Sequence, residues 1–147
     1  MNTFTTTSPA CRRGITGFTL IEMLVTLAIV GILSSVGYNV YTNHVKQSYR
    51  SEAQSALMQF QQAMERFYTE NNSYNGSHTG GKPTVFPDQA PIDGSRKMYD
   101  LTVATTDTTY ALTATPIADT LMDGDGNFTL SHTGIRGYKG QPGWESN

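Results

Sequence analysis

The sequence predicts an α+β fold: a long N-terminal helix, membrane-spanning in its front half and amphipathic in its back half, packed on a small antiparallel β-sheet head. Three observations predict it. Between Phe18 and Lys46 the only formal charge is Glu22, inside an otherwise apolar run long enough to cross a bilayer. Ala53, Leu57, Phe60, Met64 and Phe67 then fall at i, i+4, i+7, i+11 and i+14, one apolar stripe on a helix. Farther on, Tyr99, Leu101 and Val103 alternate with polar neighbours, as do Tyr110, Leu112 and Ala114, which is the period of strands with one buried face. A length of 147 residues suits one domain plus one extended element.

The front of the chain reads as a leader, but not an ordinary secretory one. A secretory signal runs from a positive segment through an apolar segment to a small-residue cut site. Here Arg12-Arg13 is followed by Gly14-Ile15-Thr16-Gly17, and the apolar run comes only afterwards. A cut at that glycine leaves the run on the mature chain. Residues 18–38 suffice to span about 30 Å of hydrocarbon as a helix. The net charge of −2 is unevenly divided. Of ten Lys/Arg, Arg12 and Arg13 precede the run, which leaves eight against twelve Asp/Glu from Phe18 onward, or −4. Arginines before the anchor and an acidic body after it place the N-terminus in the cytoplasm and the body outside. The acidic body also argues against a surface built for nucleic-acid phosphates. The single cysteine, Cys11, is preceded by MNTFTTTSPA, which lacks the apolar stretch of a lipid-attachment signal. It reads as an inert cytoplasmic thiol.

Glu22 is the costliest residue in this arrangement. A charge at the middle of a bilayer costs about 2.5–3.5 kcal/mol on insertion scales, and such residues usually have a partner and a function. Arg12-Arg13 followed by Gly17-Phe18-Thr19-Leu20-Ile21-Glu22, ahead of an uncharged run, resembles the leader of the type IV pilin family. The resemblance implies that a membrane-embedded prepilin peptidase cuts between Gly17 and Phe18 and then N-methylates Phe18. It implies a role for Glu22 as well, which is to meet the new Phe18 amine, within one subunit or across to a neighbour, and so set subunit register during assembly. Residues i and i+4 share a helix face, and burying both charges unpaired would cost several kcal/mol. The alternative is a glutamate that merely snorkels to the headgroups from a helix end.

No proline interrupts the chain from Phe18 to Glu70, so one helix of about 80 Å is expected at 1.5 Å per residue, stopped by Asn71-Asn72-Ser73. Many pilins carry a proline where Asn39 stands. Gly31 and Gly37 remain as points of helix flexibility, each costing about 1 kcal/mol in a helix interior, and any bend or melting on assembly is expected there. ERFYTENNSY resembles the segment where pilin helices hand over to the αβ-loop. The organisation is therefore a removed leader at 1–17, a transmembrane helix at 18–38 and its amphipathic continuation at 39–70. A Pro/Gly-rich αβ-loop follows at 71–97, and the sheet and C-terminal loop occupy 98–147. Strands are expected at 98–105, 109–115 and 127–131, with a hairpin turn at 105–108. YDLTVATTDTTYALTATP resembles the strand pair of type IVa heads, most closely those of minor pilins.

The C-terminal loop departs from the family pattern. Many relatives close it with a disulfide whose second cysteine precedes a tryptophan, whereas here Gly143 precedes Trp144 and MDGDGN occupies the region of the first cysteine. Trp144 packing on the sheet is the expected substitute. Asp123, Asp125 and Asn127 alternate as in calcium loops, and type II secretion pseudopilins use calcium near this end of the chain. Phe128, however, stands where the motif needs glycine and Gly134 where it needs glutamate, so a D-G turn between strands is the simpler reading. His44, His78 and His132 are isolated, and no H-E-x-x-H, G-x-S-x-G or phosphate loop is present. Arg96, Lys97, Arg136 and Lys139 are either scattered surface cations or a small basic patch.

Taken together, the resemblance implies a structural subunit rather than an enzyme. It would be a minor pilin anchored in the bacterial inner membrane, head in the periplasm, that joins or primes an extracellular type IV pilus filament serving motility, adhesion or DNA uptake. The implied partners are other pilins, the peptidase/methylase, the inner-membrane assembly machinery and, before assembly, lipid; nucleic acid is not expected. Two alternatives share the anchor: a type II secretion pseudopilin, and a single-pass periplasmic binding or sensory module.

Overall fold

The structure, a computed structural model, describes residues 17–144. The expectations for Cys11 and Arg12-Arg13, and for the last three residues of the tail, lie outside the described residues.

One helix, α1, runs Leu20–Asn71. Its end is set by Asn72, whose φ of 55° is left-handed and whose N–H donates to the Tyr68 carbonyl at 2.7 Å. Asparagine tolerates that conformation, which is why Asn71-Asn72 stops the helix. The chain divides into two units, residues up to Asn39 and residues from Val40 onward. Among the described residues of the first unit the large apolar side chains are all exposed, from 51% at Met23 to 82% at Phe18.

The second unit is the head. The stripe on α1 is buried as its spacing predicts: Ala53, Leu57, Phe60 and Met64 lose all exposure, and Ala56 and Ala63 widen the buried face. Phe67, the last member, is only half-buried. Full burial of each large side chain stabilises by about 1.5–3 kcal/mol, so this stripe is what joins helix to sheet.

A small hairpin, β1 (His78–Thr79) and β2 (Lys82–Pro83), forms a separate two-stranded sheet beside the main one, with the Gly81 carbonyl accepting from the Val103 N–H at 2.9 Å. The main sheet is a six-stranded antiparallel meander of β3 (Gln89–Ala90), β4 (Tyr99–Thr105), β5 (Tyr110–Pro116), β6 (Phe128–Ser131), β7 (Arg136–Tyr138) and β8 (Gln141–Pro142). The register pairs Val103 with Leu112 and Leu112 with Leu130, and it pairs Leu101 with Ala114 and Ala114 with Phe128. Buried side chains thus form rows across the sheet, which is what pins register. Tyr99, Phe128 and Tyr138 complete the aromatic floor, with Phe128 and Tyr138 stacked at 4.6 Å.

The three expected strands are present, each beginning one residue later than the sequence suggested. The turn is likewise one residue later: the Thr106 N–H donates to the Thr109 carbonyl at 2.8 Å. The segment 71–97, expected as an αβ-loop, contains the two-residue strands β1, β2 and β3. Strands of two or three residues carry no alternation to read, and β7 and β8 were missed for the same reason. The tip of the β4–β5 hairpin is sewn to the exit of α1, because the Asp107 carbonyl accepts from the Tyr74 N–H and its carboxylate accepts from Ser73 and Asn75.

Candidate functional site

The start of α1 shows how Glu22 is held in this chain. Thr19 precedes the first helical residue, and its carbonyl accepts the first helical bond, from the Met23 N–H at 3.2 Å. The Glu22 carboxylate accepts from the Thr19 N–H at 3.0 Å and the Thr19 hydroxyl at 2.9 Å, while the Glu22 N–H donates back to Thr19 Oγ1 at 3.3 Å. This is a capping box: Thr19 at N-cap and Glu22 at N3 satisfy each other and two otherwise orphaned helix donors. A negative side chain in the first turn also meets the positive end of the helix dipole. The signal was in the sequence as Thr-x-x-Glu ahead of an apolar run, and the reading that fixed on Phe18 passed over it.

Phe18 is correspondingly outside the helix in this uncut chain, whose Phe18 nitrogen is a peptide N–H rather than a free amine. Gly17 and Phe18 are both exposed in irregular backbone. Gly31 and Gly37 lie within α1, and a side chain at either would meet nothing within 4 Å.

At the other end of the chain the structure brings together residues that the sequence kept far apart. Arg50, on α1, forks onto Asp125, with Nε 2.9 Å from Oδ2 and the second guanidinium arm on Oδ1. Asp125 also accepts from the Tyr99 hydroxyl at 3.0 Å, and its backbone carbonyl accepts from the Tyr138 hydroxyl at 2.6 Å. The Asp125 side chain is 4% exposed. Burial pushes its pKa up, but the hydrogen bonds from Arg50 and Tyr99 outweigh this and hold it below its ordinary value. The same hydrogen bond raises Arg50, and burial, with Asp125 adding, raises the Tyr99 phenol. With both carboxylate oxygens engaged, Asp125 is a structural anion rather than an open cation ligand. Asp123 and Asn127 are exposed, and no group of three His, Cys, Asp or Glu among the described residues is arranged to hold a metal.

Trp144 lies against the sheet. Its indole N–H donates to the Thr129 carbonyl at 3.0 Å, Arg136 stacks over its ring at 4.7 Å, and Gln54 donates to its carbonyl at 3.3 Å. Lys97 is tied back onto the carbonyls of Pro91 and Ile92, and Lys139 lies over the Tyr138 ring, while Arg96 is exposed. These four cations are distributed by local contacts. His78 bridges the Thr105 hydroxyl and the Gly81 N–H, and His132 packs edge-on to Tyr110.

A helix apolar on all sides at its front and forming the core of an antiparallel meander at its back defines the type IV pilin class of protein. A family model described as type IV minor pilin ComP, DNA uptake sequence receptor, matches residues 40–129, and the prokaryotic N-terminal methylation motif matches residues 12–38. The chain belongs to this type IV minor pilin family. It is 31% identical over 85 residues to type II secretion system core protein G of Pectobacterium carotovorum, covering 53% of this chain and 54% of that protein. It is 34% identical over 59 residues to the type IV major pilin protein PilA of Myxococcus xanthus, covering 40% and 27%. The chain thus spans about half the length, or less, of these curated relatives. The non-core minor pilin PilV of Neisseria meningitidis shares the fold, with a TM-score of 0.52 and 22% identity over 70% of this chain and 93% of that one.

Proposed function

We propose that this chain is a structural subunit of a type IV pilus, cut between Gly17 and Phe18, N-methylated on Phe18 and held in the inner membrane by residues 18–38 until it enters the filament. The observation that carries the reading is the exposed apolar surface of the first unit. None of the described residues covers it, and an apolar surface of this extent belongs in lipid or against other such helices. Membrane and filament core are the two environments that meet this need. Glu22, satisfied by Thr19 before processing, gains a second partner once cleavage frees the Phe18 amine, on its own chain or a neighbour. That exchange is the proposed register signal. The arginine pair before the anchor supports a cytoplasmic N-terminus and a periplasmic head.

Intact-mass and N-terminal analysis, with and without the cell's prepilin peptidase, tests the first step. The expected product begins at Phe18 with one added methyl and appears only when the peptidase is present. Glu22→Ala tests the second: membrane insertion is retained and incorporation into filaments is lost. Unimpaired incorporation would remove the register role of Glu22, and absence of the unaltered chain from filaments would return it to the anchored-module reading.

The likeness to a type II secretion core protein favours one further reading, a pseudopilin. Loss of secretion with intact motility on deletion would establish it. The matching family's description as a DNA uptake sequence receptor is tested by filter binding at low salt. The acidic body predicts no retention of DNA.

A further inference from the structure

The β1–β2 hairpin meets the main sheet through its turn and one histidine. Gly80 and Gly81 form the turn, with φ of 59° and 85°. Left-handed backbone at both positions is the type I′ geometry that two-residue hairpin loops favour. The Gly81 N–H donates to Nδ1 of His78 at 3.2 Å. The Gly81 carbonyl accepts from the Val103 N–H on β4 at 2.9 Å, and Nε2 of His78 lies 3.1 Å from the Thr105 hydroxyl, also on β4. Among the described residues, these last two contacts are the hydrogen bonds that join the hairpin to β4. None of its four strand residues is fully buried: His78 and Pro83 are half-buried, Thr79 and Lys82 exposed. A segment with so few buried contacts opens at low cost, so each remaining bond counts.

A backbone N–H can only donate, so Nδ1 of His78 must offer a lone pair. The docked ring is therefore neutral, with its proton on Nε2, from which it donates to Thr105. Protonation leaves that bond intact and places a hydrogen on Nδ1, where a donor then faces the Gly81 donor. The surrounding charges give the protonated ring no new acceptor. No charged residue lies between Glu70 and Lys82 in the chain, and Glu70 is exposed near the helix end. On β2, Lys82 pairs with Asp88 at 3.4 Å, and on β4 Asp100 accepts from Gln89. At the β4–β5 turn the Asp107 carboxylate is taken by Ser73 and Asn75, and on α1 Glu65 is taken by Tyr74 and Tyr110.

We infer that His78 is a pH-sensitive latch, which holds the turn of the β1–β2 hairpin on β4 when neutral and releases it when protonated. Docking requires the neutral ring, so it is present at neutral pH and is lost as pH falls through the titration of the imidazole, the side chain that changes charge across the physiological range. Release leaves the Val103 N–H without its acceptor and opens the outer edge of β4 at Val103 and Thr105 to solvent. The inference concerns the head alone and stands whichever assembly the chain joins.

The test is amide hydrogen exchange on the full chain in micelles, from neutral to mildly acidic pH, with the intrinsic pH dependence divided out. Exchange at Gly81 and Val103 is expected to accelerate by about tenfold on acidification, while Leu112 and Leu130, inside the sheet, hold steady. His78→Asn places a carbonyl oxygen where Nδ1 stood and does not titrate, so both amides stay slow throughout; His78→Ala leaves them fast throughout. Nitrogen NMR of the unaltered ring shows Nδ1 without a proton at neutral pH. An Nδ1–H there, exchange indifferent to acid, or a His78→Asn chain that responds as the unaltered one does overturns the inference. Acceleration of Leu112 and Leu130 in step with Gly81 overturns it equally, because the whole head is then unfolding.

Discussion

At Asp125 two opposing effects act on one carboxylate. Burial raises its pKa, while hydrogen bonds from Arg50 and Tyr99, with the charges of Arg50 and Lys139, lower it, and the lowering wins. The folded value lies below the unfolded one, so the stabilisation is complete above the ordinary carboxylate range and is lost as pH falls through Asp125's own depressed pKa. Asp125→Asn is therefore expected to flatten the acid side of the stability profile, measured by urea unfolding at stepped pH with the fluorescence of Trp144, the one tryptophan, as the signal. Arg50→Met removes one partner and leaves a buried anion, at an expected cost of about 3–5 kcal/mol in the same measurement. Neither partner was legible as such. Asp125 and Arg50 are 75 residues apart, and nothing local in D-G-D-G announces a partner on a helix. The sequence instead offered the alternation of Asp123, Asp125 and Asn127, read as a D-G turn with calcium as the weaker alternative. Gly126 next door has a clearer signature: its φ of 104° is left-handed and the Lys139 stem crosses where a side chain would stand. Gly126→Ala is expected to lower stability by about 1–2 kcal/mol.

At the scale of elements, α1 is the part that sequence describes best, because two separate signals agree along it. Absence of charge marks the front, and 3.6-residue periodicity marks the back, down to the identity of the four fully buried stripe residues. The long strands β4 and β5 were equally legible by alternation. What escaped were elements defined by partners rather than pattern, namely β3, β7 and β8, held by the strands beside them, and the Thr19–Glu22 cap, defined by two residues reaching toward each other. The cap carries its own expectation. Thr19→Ala removes both side-chain bonds and costs about 0.5–2 kcal/mol of helix-start stability, whereas Thr19→Ser retains it. Amide hydrogen exchange at Leu20 to Glu22 in detergent reads the difference as faster exchange for alanine only.

For the whole molecule, the division into units has a direct consequence. The hydrophobic core, Ala53 to Tyr138 with Tyr49, Tyr68, Val85, Phe86, Ile92 and Trp144 packed against it, includes none of the described residues of the first unit. A chain beginning at Val40 is therefore expected to fold without detergent and to unfold at the same urea concentration as the full chain in micelles, with Arg50→Met shifting both alike. A lower midpoint for the shortened chain would show that the front of α1 contributes to the head after all.

The knot of Arg50, Asp125, Tyr99 and Tyr138 is held by protons and charge alone, and the only thiol in the chain is Cys11, ahead of the apolar run. Such a head needs no electron acceptor to mature. Its assembly should proceed equally in cells grown with or without oxygen, and its urea midpoint should be indifferent to dithiothreitol. Reductant, which opens a covalently bridged head, leaves this one closed; acid is what weakens it.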